Sequence, residues 1–116
     1  MDEAWYTAVA DELAQCLTDA RACAEACEAL LERLAEGSDG ALHRRVVDVV
    51  VAPAAVSRVL IDLIDQPKPL VAAAATLCRE TASDAAGALS GVEGADETVR
   101  ALRTCATSCA ALLDAL

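Results

Sequence analysis

The stretch CLTDARACAEACEALLERL (residues 16–34) combines a helical repeat with regularly spaced thiols. Cys16, Cys23 and Cys27 are separated by seven and four residues, so on a helix they share one face. This face continues in both directions by steps of three and four, and the acidic residues lie off it. It consists of Tyr6, Val9, Leu13, Cys16, Ala20, Cys23, Cys27, Leu30 and Leu34. The pattern predicts a long amphipathic helix over roughly residues 2–36, with its sulfurs facing a core.

Three short segments rich in glycine, proline and serine divide the chain into four stretches of this kind. The segments are residues 37–40, 66–69 and 90–94, which we expect to be loops. Helices are predicted over roughly 2–36, 41–65, 70–89 and 96–116. Short connections make consecutive helices antiparallel neighbours. We therefore expect one all-α domain over residues 1–116, an antiparallel up-down-up-down four-helix bundle.

The other three helices also have apolar faces with helical spacing. In the second helix the face is Leu42, Val46, Val49, Pro53, Val56, Leu60 and Leu63. In the third it is Val71, Ala74 or Ala75, Cys78, Ala82, Ala85 and Leu89. In the fourth it is Leu102, Cys105, Cys109, Leu112 and Leu116. Every cysteine falls on such a face, so every sulfur is expected in the core.

Composition indicates a small core built from small side chains. The chain has 116 residues, of which 56% are hydrophobic and only 2% aromatic, with no phenylalanine. Ala, Val and Leu must therefore fill the core, which requires closely spaced helices. No uncharged apolar run reaches the ~18 residues that a membrane span needs. The acidic start, MDEAWYTAVADELAQ, is unlike a secretory signal, so we expect a cytoplasmic protein.

The net charge of −10 argues against two classes of partner. Nucleic acid and anionic membranes both repel an acidic surface. The acidic residues are concentrated in residues 2–36. We interpret them as the solvated face of the first helix.

The six cysteines are expected to be thiols, because disulfides are rare in a reducing compartment. In the predicted bundle, five of them lie at one depth and the sixth, Cys16, lies ~10 Å below Cys23. The five are Cys23, Cys27, Cys78, Cys105 and Cys109. Two interpretations stay open: buried cysteine acts as a small hydrophobe in the core, or the thiols bind a soft metal ion. A redox role fits less well, since reactive thiols are exposed and lie near positive charge.

Cysteine spacing favours metal over disulfide within a helix. Cβ atoms four residues apart on a helix are ~6 Å from each other, whereas a disulfide needs ~3.8 Å. Zinc takes four ligands in a closed tetrahedron, so five or six thiols without a Cys-x-x-Cys motif favour several Cu(I) ions that share sulfurs. The candidate ligands are Cys16, Cys23, Cys27, Cys78, Cys105 and Cys109.

Two other residues have alternative interpretations. His43 lies near the start of the second helix, where it is either an accessory metal ligand at the mouth of the bundle or an exposed residue beside Arg44 and Arg45. Pro53 lies inside that helix and removes a backbone hydrogen bond. It either bends the helix around its neighbours or makes room beside the thiols.

The quoted stretch, together with ATLCRETASDAAGAL (75–89) and RTCATSCAALLDAL (103–116), resembles the bacterial Cys-rich four-helix-bundle copper storage proteins. The resemblance implies a bundle whose interior thiols hold Cu(I) ions. Family members have many more cysteines, and the second helix here has none. What the resemblance implies is a single cluster of a few Cu(I) ions, or a relative that has lost metal binding.

We therefore expect a cytoplasmic protein that binds Cu(I) ions and sequesters or buffers copper. The alternative is an interaction module without metal, which dimerises or docks a protein partner through Trp5 and Tyr6. An enzyme is not expected, because the chain has one histidine and no glycine-rich phosphate loop.

Overall fold

The computed structural model describes residues 4–116, and these are helical with short connections. A short helix, α1 (Ala4–Ala8), is followed by four long ones. The long helices are α2 (Ala10–Glu36), α3 (Gly40–Leu63), α4 (Lys68–Leu89) and α5 (Asp96–Ala115). No helix among the described residues is both long and apolar enough to cross a membrane.

Local sequence signals explain where the long helices begin. The carboxylate of Asp39 accepts a hydrogen bond from the backbone N–H of Leu42 (3.0 Å) and caps α3. Pro69 lies in the first turn of α4, where its missing N–H has no cost. Asp96 and Glu97 lie in the first turn of α5 and interact favourably with its dipole.

The long helices pack in a closed ring. Helix α2 packs on α3, α3 on α4, and α4 on α5, and α5 packs back on α2. The molecule is elongated, with extents of 53 × 20 × 17 Å. Alanines with no exposed surface, such as Ala20, Ala75 and Ala82, lie between the helices and allow them to approach closely. The expectation of a core built from small residues is confirmed.

The first predicted helix is two helices in the structure. The backbone of Val9 (φ −116°, ψ 23°) leaves the helical region and separates α1 from α2. The break is local, because the N–H of Val9 donates to Trp5 O and the N–H of Leu13 donates to Val9 O. Tyr6 is 39% exposed, so its assignment to the apolar face was wrong. Trp5 is partly buried and packs against the core.

Helix α3 buries Val46, Pro53 and Leu60 as predicted, but the rest of its buried face differs from the prediction. Val50 and Ser57 are fully buried, whereas Val49 and Val56 are only partly buried. The run of valines at residues 49–51 satisfies the helical spacing in more than one phase, so the apolar pattern alone could not fix the rotation of this helix. The structure thereby brings the hydroxyl of Ser57 into the core.

Candidate metal centre

Three thiols from two helices meet in the core. The sulfurs of Cys78 on α4 and of Cys105 and Cys109 on α5 all lie within 4.8 Å of one another. The Sγ atoms of Cys78 and Cys105 are 3.6 Å apart. Cys105 and Cys109 reach the same place because four residues make about one helical turn. These three residues are the group of possible metal ligands that stands out among residues 4–116.

Helix α2 adds its cysteines to both ends of this group. The Sγ of Cys16 lies 3.7 Å from the Sγ of Cys109. Cys23 lies close enough to Cys105 and to Cys27 for their thiols to lower its pKa. The sulfurs therefore form a continuous column along the ring of helices rather than one layer. We call it the thiol column and define it as Cys16, Cys23, Cys27, Cys78, Cys105 and Cys109.

The thiol column is closed to solvent. All six cysteines have 0% exposed surface, and all are free thiols. The prediction that every sulfur faces the core is confirmed. Cys16, which was predicted to lie below the other five thiols, joins them in the column through its contact with Cys109. Six buried sulfurs gathered in one core offer shared ligands to soft metal ions.

Hydrogen bonds between the thiols favour the ionised form of Cys23 and Cys78 by lowering the pKa of each. The pKa of Cys23 is lowered by hydrogen bonds from Cys105 and Cys27, against the effect of burial. The pKa of Cys78 is lowered by hydrogen bonds from Cys105 and Cys109. These two sulfurs have the greatest thiolate character, which is the form that binds metal.

The pKa values of the other three interacting thiols are raised. The pKa of Cys105 is raised by its hydrogen bonds to Cys109, Cys23 and Cys78, and by burial. The pKa of Cys27 is raised by its hydrogen bond to Cys23 and by burial. For Cys109 the hydrogen bond with Cys105 lowers the pKa, but the bonds with Cys16 and Cys78, together with burial, outweigh it and the net direction is upward. A metal ion that binds these sulfurs must displace their protons.

Ser57 is a residue that the sequence pattern missed. It supplies the contact from α3, the one long helix without a cysteine. Its hydroxyl is fully buried and lies 3.6 Å from the Sγ of Cys78. The signal in the sequence was its place in the series Val46, Val50, Pro53, Ser57 and Leu60, which also steps by four and three.

A buried carboxylate lies beside the column, between α2 and α5. Asp19 is 9% exposed, and its Oδ2 accepts hydrogen bonds from the Ser108 hydroxyl and from Gln15 Nε2. The assignment of Asp19 to a solvated face was therefore wrong. Its partners explain how a carboxylate stays in the core, because buried charges need hydrogen bonds. Ser108 directly precedes Cys109 in the sequence, so this contact between α2 and α5 lies near the column without touching a sulfur.

His43 and Pro53 have no visible part in the thiol group. His43 lies in the first turn of α3, partly buried, and does not belong to the group of possible ligands found among residues 4–116. Pro53 is buried and α3 continues through it. The interpretation of Pro53 as a residue that fits α3 to its neighbours agrees with this burial.

Comparison with known families bears directly on these thiols. The model of a family described as copper storage protein matches residues 9–114, nearly the whole chain. The chain belongs to the copper storage protein family. The resemblance seen in the sequence is confirmed. Searches of curated proteins and of solved structures found no match.

Membership in the copper storage family agrees with the buried thiols. The family stores a metal ion and is not a family of enzymes. The three-thiol group in the core is a place where such an ion can bind. The family match covers the four long helices, α2 to α5, and leaves α1 outside it.

Proposed function

We propose that this protein binds Cu(I) ions in the thiol column and stores or buffers copper. The observation that carries the proposal is the contact of sulfurs from three helices, with Sγ–Sγ distances of 3.6 and 3.7 Å, in a core without solvent. Thiolates are soft ligands and favour Cu(I). The family match supports copper as the cargo.

The geometry of the three-thiol group suits a three-coordinate ion. With metal–sulfur bonds of ~2.3 Å, three sulfurs around one ion lie about 4 Å from each other. The sulfurs of Cys78, Cys105 and Cys109 are within 4.8 Å of one another, so small side-chain movements close the site. Cys16, Cys23 and Cys27 extend the ligand set to further ions. We therefore propose that the chain takes up more than one Cu(I).

We also propose that the ring of long helices is an up-down-up-down bundle. Contacts between α2 and α5 support it, since Arg33 near the end of α2 donates to Gly94 O, just before α5, while Cys16 near the start of α2 meets Cys109. Lys68 at the start of α4 donates to Leu116 O, just past α5. Such an arrangement brings thiols from distant parts of the chain together.

A cytoplasmic location is part of the proposal. The six free thiols support it, since they would need a reducing compartment to stay available. Alkylation of cells before lysis, followed by mass spectrometry, would measure whether the cysteines are reduced where the protein resides. Oxidised cysteines in the native protein would reject the cytoplasmic assignment.

The deciding experiment is a titration of the reduced protein with Cu(I), without oxygen, against a coloured chelator. We expect tight uptake of several equivalents. The triple variant Cys78→Ala, Cys105→Ala, Cys109→Ala should lose the tightest sites while its circular dichroism stays helical. Leu112→Ala is the matched control, because it removes a fully buried side chain of α5 without removing a thiol. Uptake that is unchanged in the triple variant would reject the proposal.

The alternative without metal makes a different prediction. If the cysteines only pack the core, the wild-type protein takes up no Cu(I), and a protein partner or a second copy should occupy its surface. Tyr6, at 39% exposure, is the aromatic residue available for such a contact. Light scattering of the wild type and of Tyr6→Ala would test this, and a monomer in both cases would reject the dimer.

A further inference from the structure

Ser57 occupies the position where α3 reaches the thiol column. The side chain has 0% exposed surface, and its hydroxyl lies 3.6 Å from the Sγ of Cys78. A serine in a helix core usually satisfies its hydroxyl within its own helix. Here the hydrogen-bond partner of the hydroxyl is a sulfur of another helix, α4.

The direction of this hydrogen bond depends on whether Cys78 carries a proton. In the metal-free protein either the hydroxyl or the thiol can donate. A sulfur that binds a metal ion has lost its proton. The hydroxyl is then the donor in this pair, and a hydrogen bond to a charged acceptor is stronger than one between neutral groups.

We propose that Ser57 is a positioning residue of the copper site, which donates a hydrogen bond to the metal-bound sulfur of Cys78 and holds that sulfur toward Cys105 and Cys109. This inference rests on the proposed copper binding. Helix α3 thereby takes part in the site with a hydrogen-bond donor, while α2, α4 and α5 contribute thiols. Residues that orient ligands in this way commonly affect metal affinity strongly.

The same geometry makes residue 57 a position for an additional ligand. Serine and cysteine differ by one atom, so the sulfur of a Ser57→Cys variant would lie close to where the hydroxyl now contacts Cys78. All four long helices would then contribute a sulfur.

The experiment compares Ser57→Ala, Ser57→Cys and Ser108→Ala in anaerobic Cu(I) titrations. Ser57→Ala should bind as many ions as the wild type, with the affinity of the tightest site lowered roughly tenfold to a hundredfold, the effect of one hydrogen bond to a charged group. The ultraviolet charge-transfer band of the first bound ion should also change. Ser57→Cys should restore or exceed the wild-type affinity.

Ser108→Ala is the matched control, because it removes another buried hydroxyl near the column, one that donates to Asp19 rather than to a sulfur. We expect it to keep the wild-type affinity and band. Wild-type behaviour of Ser57→Ala, or an equal loss in Ser108→Ala, would overturn the role of Ser57 and leave copper binding intact. A wild-type protein that takes up no copper would instead reject the proposed function, and this inference with it.

Discussion

At the scale of single residues, Cys105 is the centre of the thiol column. Its sulfur lies 3.6 Å from that of Cys78, and the thiols of Cys109 and Cys23 are close enough to raise its pKa. Cys27, at one end of the column, has its thiol contact with Cys23. The two residues are equally buried, so they differ mainly in the number of sulfurs that they touch.

The first prediction concerns this difference. Cys105→Ala should lower the affinity for Cu(I) by more than ~100-fold, because loss of a ligand exceeds the 10–100-fold cost of losing an outer contact. Cys27→Ala should have a smaller effect. Competition with a chelator measures both, and equal losses would contradict a central role for Cys105.

Asp19 is the second residue whose substitution is informative. Asp19→Ala leaves the hydroxyl of Ser108 and the amide of Gln15 without their acceptor, which should lower the free energy of unfolding by about 2 kcal/mol. Asp19→Asn keeps an acceptor oxygen and should cost less. Urea denaturation of the two variants checks this order, and an equal cost for both would show that the hydrogen bonds contribute little.

The sequence predicted the burial of the cysteines better than the burial of the polar residues around them. Thiols at positions seven and four apart could lie on one face only, so their burial followed from the helical period alone. Ser57 and Asp19 escaped because polar residues in a helix are expected in solvent. Their burial depends on partners from other helices, Cys78 and Ser108, which no local pattern contains.

At the scale of helices, the positions of the loops were predictable, and the loops determine where the long helices begin and end. The connections between the long helices are residues 37–39, 64–67 and 90–95, close to the expected segments. Gly91 and Gly94 have positive φ angles of 88° and 84°, a conformation that favours glycine. The separation of α1 from α2 was not predictable, because it is a change at the backbone of Val9 and no breaker residue marks it.

Two glycines of this region should respond to alanine in opposite ways. Gly87 is an exposed residue inside α4 with no atom near its missing Cβ, so Gly87→Ala should raise the free energy of unfolding by about 0.5–1 kcal/mol. Gly91→Ala should lower it by about 1–2 kcal/mol, because alanine is strained at this φ. Thermal unfolding measures both, and a stabilising Gly91→Ala would contradict the positive φ.

At the scale of the whole molecule, the thiols couple folding to pH. The pKa values of Cys27, Cys105 and Cys109 are raised in the folded protein above their ordinary value of 9.0. In the unfolded chain these thiols ionise above pH 9, while the folded protein keeps the protons. The unfolded state then binds fewer protons, so stability falls as the pH rises.

The prediction is a loss of stability of the metal-free protein above pH 9. Each such thiol should contribute about 1.4 kcal/mol per pH unit to the slope, as long as its folded pKa is not reached. Urea denaturation between pH 8 and 10.5 under reducing conditions measures it. Cys27→Ala serves as the control, because it removes the contribution of one of these thiols and leaves the rest of the chain unchanged. Identical slopes would contradict the raised pKa of Cys27.

Complete burial of the six sulfurs also separates how tightly copper is held from how quickly it exchanges. An ion between them can leave only when two helices part or a core side chain moves aside, so its residence time follows the local opening of the ring. Under the proposed function, the rate of copper release would therefore be set by the packing of alanines and leucines around the sulfurs. The small side chains that let the helices approach closely would then also determine how fast a bound ion exchanges.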